Sequence, residues 1–145
     1  MPELPEVETT RRGIDPHLLD ETVVRVIVRD HRLRWPVPKT LNKKLQGQKI
    51  EKINRRGKYI LLQVEEGTTL IHLGMSGSLR IIDAHTPAEK HDHIDIVVSS
   101  GKCLRMRDPR RFGSVLWAGK EPLKHKLLQK LGPEPLSDEF TSDYI

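Results

Sequence analysis

The spacing of apolar and polar positions changes rhythm twice along the chain. Across residues 5–18, PEVETTRRGIDPHL, Val7, Ile14 and Leu18 recur near one face of a helix, with Arg11 and Arg12 towards its end and Gly13 and Pro16 as stop signals. Pro5 suits a first helical turn, where its missing N–H costs nothing, and Glu3, Glu6 and Glu8 are anionic partners for the positive helix end. From residue 22 the period falls to two. The short β-branched runs TVVRVIVR, KIEKIN, KYILLQVE, TLIHLGM, LRIID, IDIVVS, CLRMR and SVLWA, separated by turn residues, predict strands. PLKHKLLQKLG then returns to helical spacing through Leu123, Leu127, Leu128 and Leu131, with Gly132 as its stop.

Helix, many strands, helix is a mainly β pattern: a two-layer β-sandwich or barrel-like sheet pair with two helices at its ends or sides. Residues 1–132 read as one domain, and the proline-rich, acidic stretch 133–145 as the start of a linker. EEGT and SSGK look like hairpin turns, whereas RRGK, GMSGS and DPRRFG set glycine or proline beside charged or apolar residues, more than a reversal requires.

The 145 residues suit one core, and 25 Lys and Arg against 20 Asp and Glu leave a net charge of +5 whose meaning depends on its placement. A single cysteine, Cys103, excludes an internal disulfide and a thiolate metal cage, and points to the cytoplasm. No apolar run is long enough for a membrane span, and no oligomerisation signal stands out, so the expected state is a monomer.

Three basic groups stand out. Arg29, His31, Arg32 and Arg34 read as a solvated face. Arg55, Arg56 and Lys58 crowd the RRGK loop, and Arg105, Arg107, Arg110 and Arg111 surround DPRRFG. In that last loop Phe112 is hard to bury, and an exposed ring beside guanidinium groups is suited to entering a base stack. Met75, in LGMSGS, is either a second such wedge or an ordinary core methionine. A third feature is the alternation of His91, His93 and Asp95, which on one strand face would resemble a metal-ligand set and allow a metal-dependent β-barrel enzyme. A fourth is Pro2: once Met1 is removed it carries a free secondary amine, a nucleophile that side chains do not provide.

PELPEVE, HLGMSGSLR, KHDHID and DPRRFG, in that order and spacing, closely resemble the N-terminal domain of the bacterial formamidopyrimidine-DNA glycosylase family. Leu4 separates it from the sister family of oxidised-pyrimidine glycosylases, which typically has glycine there. The resemblance implies base-excision repair: a bifunctional DNA glycosylase and abasic-site lyase that removes oxidised purines such as 8-oxoguanine and formamidopyrimidines from double-stranded DNA. It implies that Pro2 attacks the sugar C1′ to form a Schiff base and that β/δ-elimination follows. Glu3 would be the general acid, Lys58 the proton donor during elimination, and Glu6 an orienting carboxylate. His91 and Arg110 would grip phosphates, while Met75, Arg110 and Phe112 fill the space of the extruded base. Members of the family continue into a helix-two-turn-helix and a four-cysteine zinc finger, both absent from this chain, so one structural zinc is expected of the full-length enzyme and none here. The chain alone is expected to be weakly active or inactive. The competing expectation is a DNA-binding module without catalysis.

Overall fold

The structure, a computed structural model, describes residues 3–122 and 125–129. In chain order the elements are α1 (Leu4–Leu18), β1 (Val23–Val28), α2 (Leu41–Leu45), β2 (Lys52–Arg56), β3 (Tyr59–Val64), β4 (Gly67–His72), β5 (Ser78–Asp83), β6 (Asp92–Val98), β7 (Lys102–Arg107), β8 (Ser114–Trp117) and α3 (Lys126–Gln129). All eight predicted runs contain a strand. They form two antiparallel sheets, ordered β1-β6-β7-β5 and β2-β3-β4-β8, packed face to face without closing into a barrel.

Alternation along the strands sorts the core. Ile60, Leu62 and Val64 of β3 meet Ile94, Ile96 and Val98 of β6 in one interior, with Ile71, Leu104 and Val115 beside them. On the other face of β3, Leu61 packs with Leu70 and Leu128, so α3 covers the outside of the second sheet. The remainder of the predicted second helix and the linker lie outside the described residues.

The helix α1 packs against β2 and β5, an edge strand of each sheet, and shields both from pairing with another chain. Val7, Ile14 and Leu18 are buried as their spacing predicts. Gly13 and Pro16 do not stop the helix. Pro16 deletes one backbone bond within the final turns, but the burial of Ile14 and Leu18, four residues apart, holds that turn in place. The helix α2 has no counterpart in the sequence reading. Its five residues bury Leu41 and Leu45 while the Asn42 side chain accepts the Val26 N–H at 2.6 Å, and one turn is too short to display a period.

RRGK is itself a two-residue hairpin turn, with Arg56 opposite Tyr59 and Gly57 at φ 59°. GMSGS and DPRRFG are different: they connect β4 to β5 and β7 to β8, and so carry the chain from one sheet to the other.

Candidate active site

Those two crossings are laced together. Asp108 is fully buried at the head of the second one, and every polar atom it offers is used. Its Oδ1 accepts the Ser76 hydroxyl at 2.9 Å and the Arg111 N–H at 3.1 Å, and its Oδ2 accepts the Gly113 N–H at 2.7 Å. Its carbonyl bonds His93 Nε2 at 2.9 Å, and its N–H donates to the His91 carbonyl at 3.0 Å. Ser76 in turn accepts the Arg110 N–H at 3.2 Å. Gly74 completes the join: at φ 62° it lies so close to the other loop that a Cβ would stand 2.5 Å from the Phe112 carbonyl carbon.

The result is two short, rigid loops that push Met75 and Phe112 into solvent, each 47% exposed, at a place where apolar side chains gain nothing by packing. Arg110, two residues before Phe112 and bonded through its N–H to Ser76 beside Met75, is exposed, and its guanidinium engages no partner among the described residues. Met75 is therefore not a core methionine. Arg111 differs from its neighbour: it bonds the Asp30 carboxylate and the Arg32 carbonyl, in an uncommon left-handed conformation with φ 59°.

Lys58 occupies the β2–β3 turn. That turn is braced from below by Arg55, whose Nη1 donates to the Gly57 carbonyl at 3.0 Å and whose Nε donates to Glu8 of α1 at 3.1 Å. Glu8 also receives Arg11 and Arg12, both at 2.7 Å. Burial alone would raise its pKa, but the three guanidinium groups outweigh that and hold it at about 2. Glu8 is thus an ion-pair anchor between α1 and the lysine turn, not a partner of the helix dipole. Glu3 caps α1 through its carbonyl, which accepts the Val7 N–H at 3.1 Å, leaving its exposed carboxylate without a capping bond; Glu6 is exposed one turn on. Pro2 lies outside the described residues, immediately ahead of Glu3.

Beside Lys58, His72 stacks edge-on against Tyr59 with ring centroids 4.8 Å apart. Its Nδ1 accepts the Gly74 N–H at 3.0 Å, which leaves the proton on Nε2. Burial lowers its pKa, and the charges of Lys58 and Arg34 lower it further. It was missed in the sequence because a histidine ending a strand carries no pattern of its own. His91 precedes β6 at φ 73°, half-buried; burial and the nearby charges of Lys90, Arg107, His93 and Arg111 lower its pKa as well.

The His91, His93 and Asp95 alternation does not make a metal site. A bulge at His93, where Asp92 faces Arg107 but Ile94 faces Met106, breaks the shared face. Asp95 is occupied by Arg105 at 2.8 Å and Arg29 at 2.8 Å, and His93 by the Asp108 carbonyl. Among the described residues no group of three or more His, Cys, Asp or Glu could hold a metal ion, and Cys103 is buried as a free thiol.

The solvated-face reading of residues 29–34 holds for the exposed Arg32 and Arg34 side chains and fails for Arg29. Arg29 neutralises a buried carboxylate, Arg32 pairs with Asp30, and the Arg34 N–H donates to the Gly113 carbonyl at 3.1 Å. This segment is stitched to the Phe112 loop.

The class the fold and site define is a two-sheet scaffold that carries a basic corner and two exposed apolar prongs on the loops crossing between its layers. Residues 1–115 match the formamidopyrimidine-DNA glycosylase N-terminal domain family, and the chain belongs to it. All 145 residues align at 61% identity with the formamidopyrimidine-DNA glycosylase of Stutzerimonas stutzeri and at 59% with that of Shewanella pealeana, covering 53% of each. The chain spans about half the length of the curated relatives it matches. Among solved structures, the Lactococcus lactis formamidopyrimidine-DNA glycosylase bound to abasic-site DNA superimposes with a TM-score of 0.85 at 32% identity, over 96% of this chain and 54% of that one. The same enzyme with DNA containing a formamidopyrimidine lesion gives 0.83 at 32% identity, over 92% and 51%.

Proposed function

We propose that this chain is the catalytic N-terminal half of a bifunctional DNA glycosylase and abasic-site lyase that removes oxidised purines from duplex DNA. The observation that carries the reading is the triad of Met75, Arg110 and Phe112. Two bare apolar side chains and an unpaired guanidinium, on loops too constrained to fold them away, are suited to replacing an extruded base and facing its partner. The relatives' names and the lesion-bearing DNA in the Lactococcus lactis complexes support it.

In the proposed reaction the Pro2 nitrogen, freed by loss of Met1, attacks C1′ of the damaged nucleotide. The C1′–N bond to the base breaks as the amine adds, the base leaving with the proton the amine gives up, and Glu3 then delivers a proton to the sugar ring oxygen as the C1′–O4′ bond opens. An α-amino group titrates near pH ~8, so an appreciable share is neutral and nucleophilic at pH 7. The resulting iminium ion acidifies C2′, loss of that proton expels the 3′ phosphate, and loss of a further proton from C4′ of the conjugated imine expels the 5′ one. Lys58 serves as proton donor and phosphate contact, held in range by the Arg55 brace. His91 and Arg110 take phosphate oxygens of the bent strand, and Glu6 orients the amine or a water. The zinc of the intact family would be held by residues beyond this chain and takes no part in these steps. Cytoplasmic location and a monomeric state complete the proposal.

Borohydride trapping tests it. Met1-free protein incubated with duplex containing 8-oxoguanine should give a covalent adduct that is absent for Pro2→Gly and for protein retaining Met1, whose Pro2 nitrogen is an amide. Duplex binding with no adduct, even when the second half of a relative is fused on, would reduce the chain to a binding module.

A further inference from the structure

Residues 30–37 form a small closed loop that nothing in the proposed chemistry uses. Arg32 bridges Pro36, His31 receives the Val37 N–H at 2.9 Å on its carbonyl, and the His31 ring bonds the Val37 carbonyl at 2.9 Å. Leu33 points inward and is buried, so the tip is forced to present Arg34 and Trp35 outward. Trp35 is 43% exposed, a large area for an indole in a chain whose other tryptophan, Trp117, packs against the core. The Arg34 guanidinium lies over its ring, 5.7 Å from the centroid.

The tip is fastened to the wedge by contacts that are independent of each other. The Arg34 N–H donates to the Gly113 carbonyl, next to Phe112, while Asp30 and the Arg32 carbonyl both receive Arg111. On its other side, the charge of Arg34 reaches His72 and Tyr59. Its backbone bond to Gly113 and its nearness to His72, which pairs with Ser114 in the sheet, set it between the lysine corner and the Phe112 prong.

We propose that Arg34 and Trp35 form a further DNA contact, with Trp35 as a platform that holds the Arg34 fork flat towards a backbone phosphate and takes the adjoining sugar against its own exposed ring. The charge matches the ligand: a planar guanidinium offers paired donors to phosphate oxygens, and stacking removes the rotamer freedom that would otherwise weaken that grip. The surface is also continuous with the prongs, so one duplex covers both. This inference rests on the glycosylase reading for its ligand.

The test uses the 145-residue chain and a duplex carrying a stable abasic-site analogue. In a Trp117→Phe background, titration with duplex should change Trp35 fluorescence saturably. Arg34→Ala should weaken binding by several-fold and reduce the slope of log K against log salt by about one. Trp35→Ala should weaken binding without removing a charge, leaving that slope within a few tenths of the parent's, and Trp35→Phe should restore most of the affinity. Phe112→Ala serves as the reference for the wedge. If Phe112→Ala loses affinity for the analogue while Arg34→Ala, Trp35→Ala and the fluorescence are silent, the Arg34–Trp35 contact is refuted and the wedge stands. If the parent chain binds duplex without any preference for the analogue and Phe112→Ala is also silent, the glycosylase reading fails with it. Circular dichroism of each variant separates lost contacts from lost folding.

Discussion

Asp108 shows how one buried side chain can fix an exposed surface. Its two oxygens accept three donors from two loops, so replacing one oxygen by an amide sets donor against donor. Asp108→Asn should cost about 1–3 kcal/mol in chemical denaturation and lower the preference of the protein for lesion-bearing over undamaged duplex. Gly74→Ala should act through geometry alone. Its φ of 62° and the 2.5 Å approach to Phe112 combine a strained backbone with an overlap that no side-chain rotation relieves, and the expected loss is on the order of 2 kcal/mol or more. A thermal melt within a degree of the parent would contradict both.

At the scale of elements, the tie between α1 and the β2–β3 turn runs through Glu8, and its electrostatics give it a pH signature. Unfolded, the carboxyl titrates near 4.5; folded, at about 2. A depressed folded value means its contribution is complete above pH 4.5 and is lost as pH falls through about 2. Glu8→Gln should therefore lower stability by on the order of 3 kcal/mol at pH 7, and the gap to the parent should close by pH 2. Denaturant titrations at pH 7, 4 and 2 check this, and a gap independent of pH would contradict it. The strands that surround this tie were legible in the sequence because they are short β-branched runs between turn residues, many of them alternating between two faces. The rest was not, for reasons that differ. The helix α2 is one turn long; the extension of α1 past Gly13 depends on what Ile14 and Leu18 touch; the bulge at His93 shifts a register that single-strand alternation takes as regular. Met75, Phe112 and Arg110 could be suspected from their glycine and proline brackets. Arg34 could not, because what distinguishes it is its bond to Gly113, far along the chain, nor could His72, which ends a strand with no pattern of its own.

For the whole molecule, a net charge of +5 is modest for a binder of nucleic acid, and its local arrangement matters more than its sum. On the proposed reading, a chain that spans 53% of its Stutzerimonas stutzeri relative should bring about half of the phosphate contacts of the two halves joined. The slope of log K against log salt for the chain should accordingly be about half that of a fusion carrying the second half of that relative. Anisotropy titrations between roughly 50 and 200 mM salt measure it, and equal slopes would show that the N-terminal half carries the whole electrostatic footprint.

Both prongs sit where the polypeptide passes between layers, and the Ser76–Asp108 bond locks those passages to each other. Retracting either one would require the layers to slide across a close-packed interior, which is far stiffer than a double helix at an unstacked step. On the proposed reading the yielding partner in the encounter is thus the nucleic acid, and damage would be sensed as a local softness of the duplex pressed against an unyielding edge.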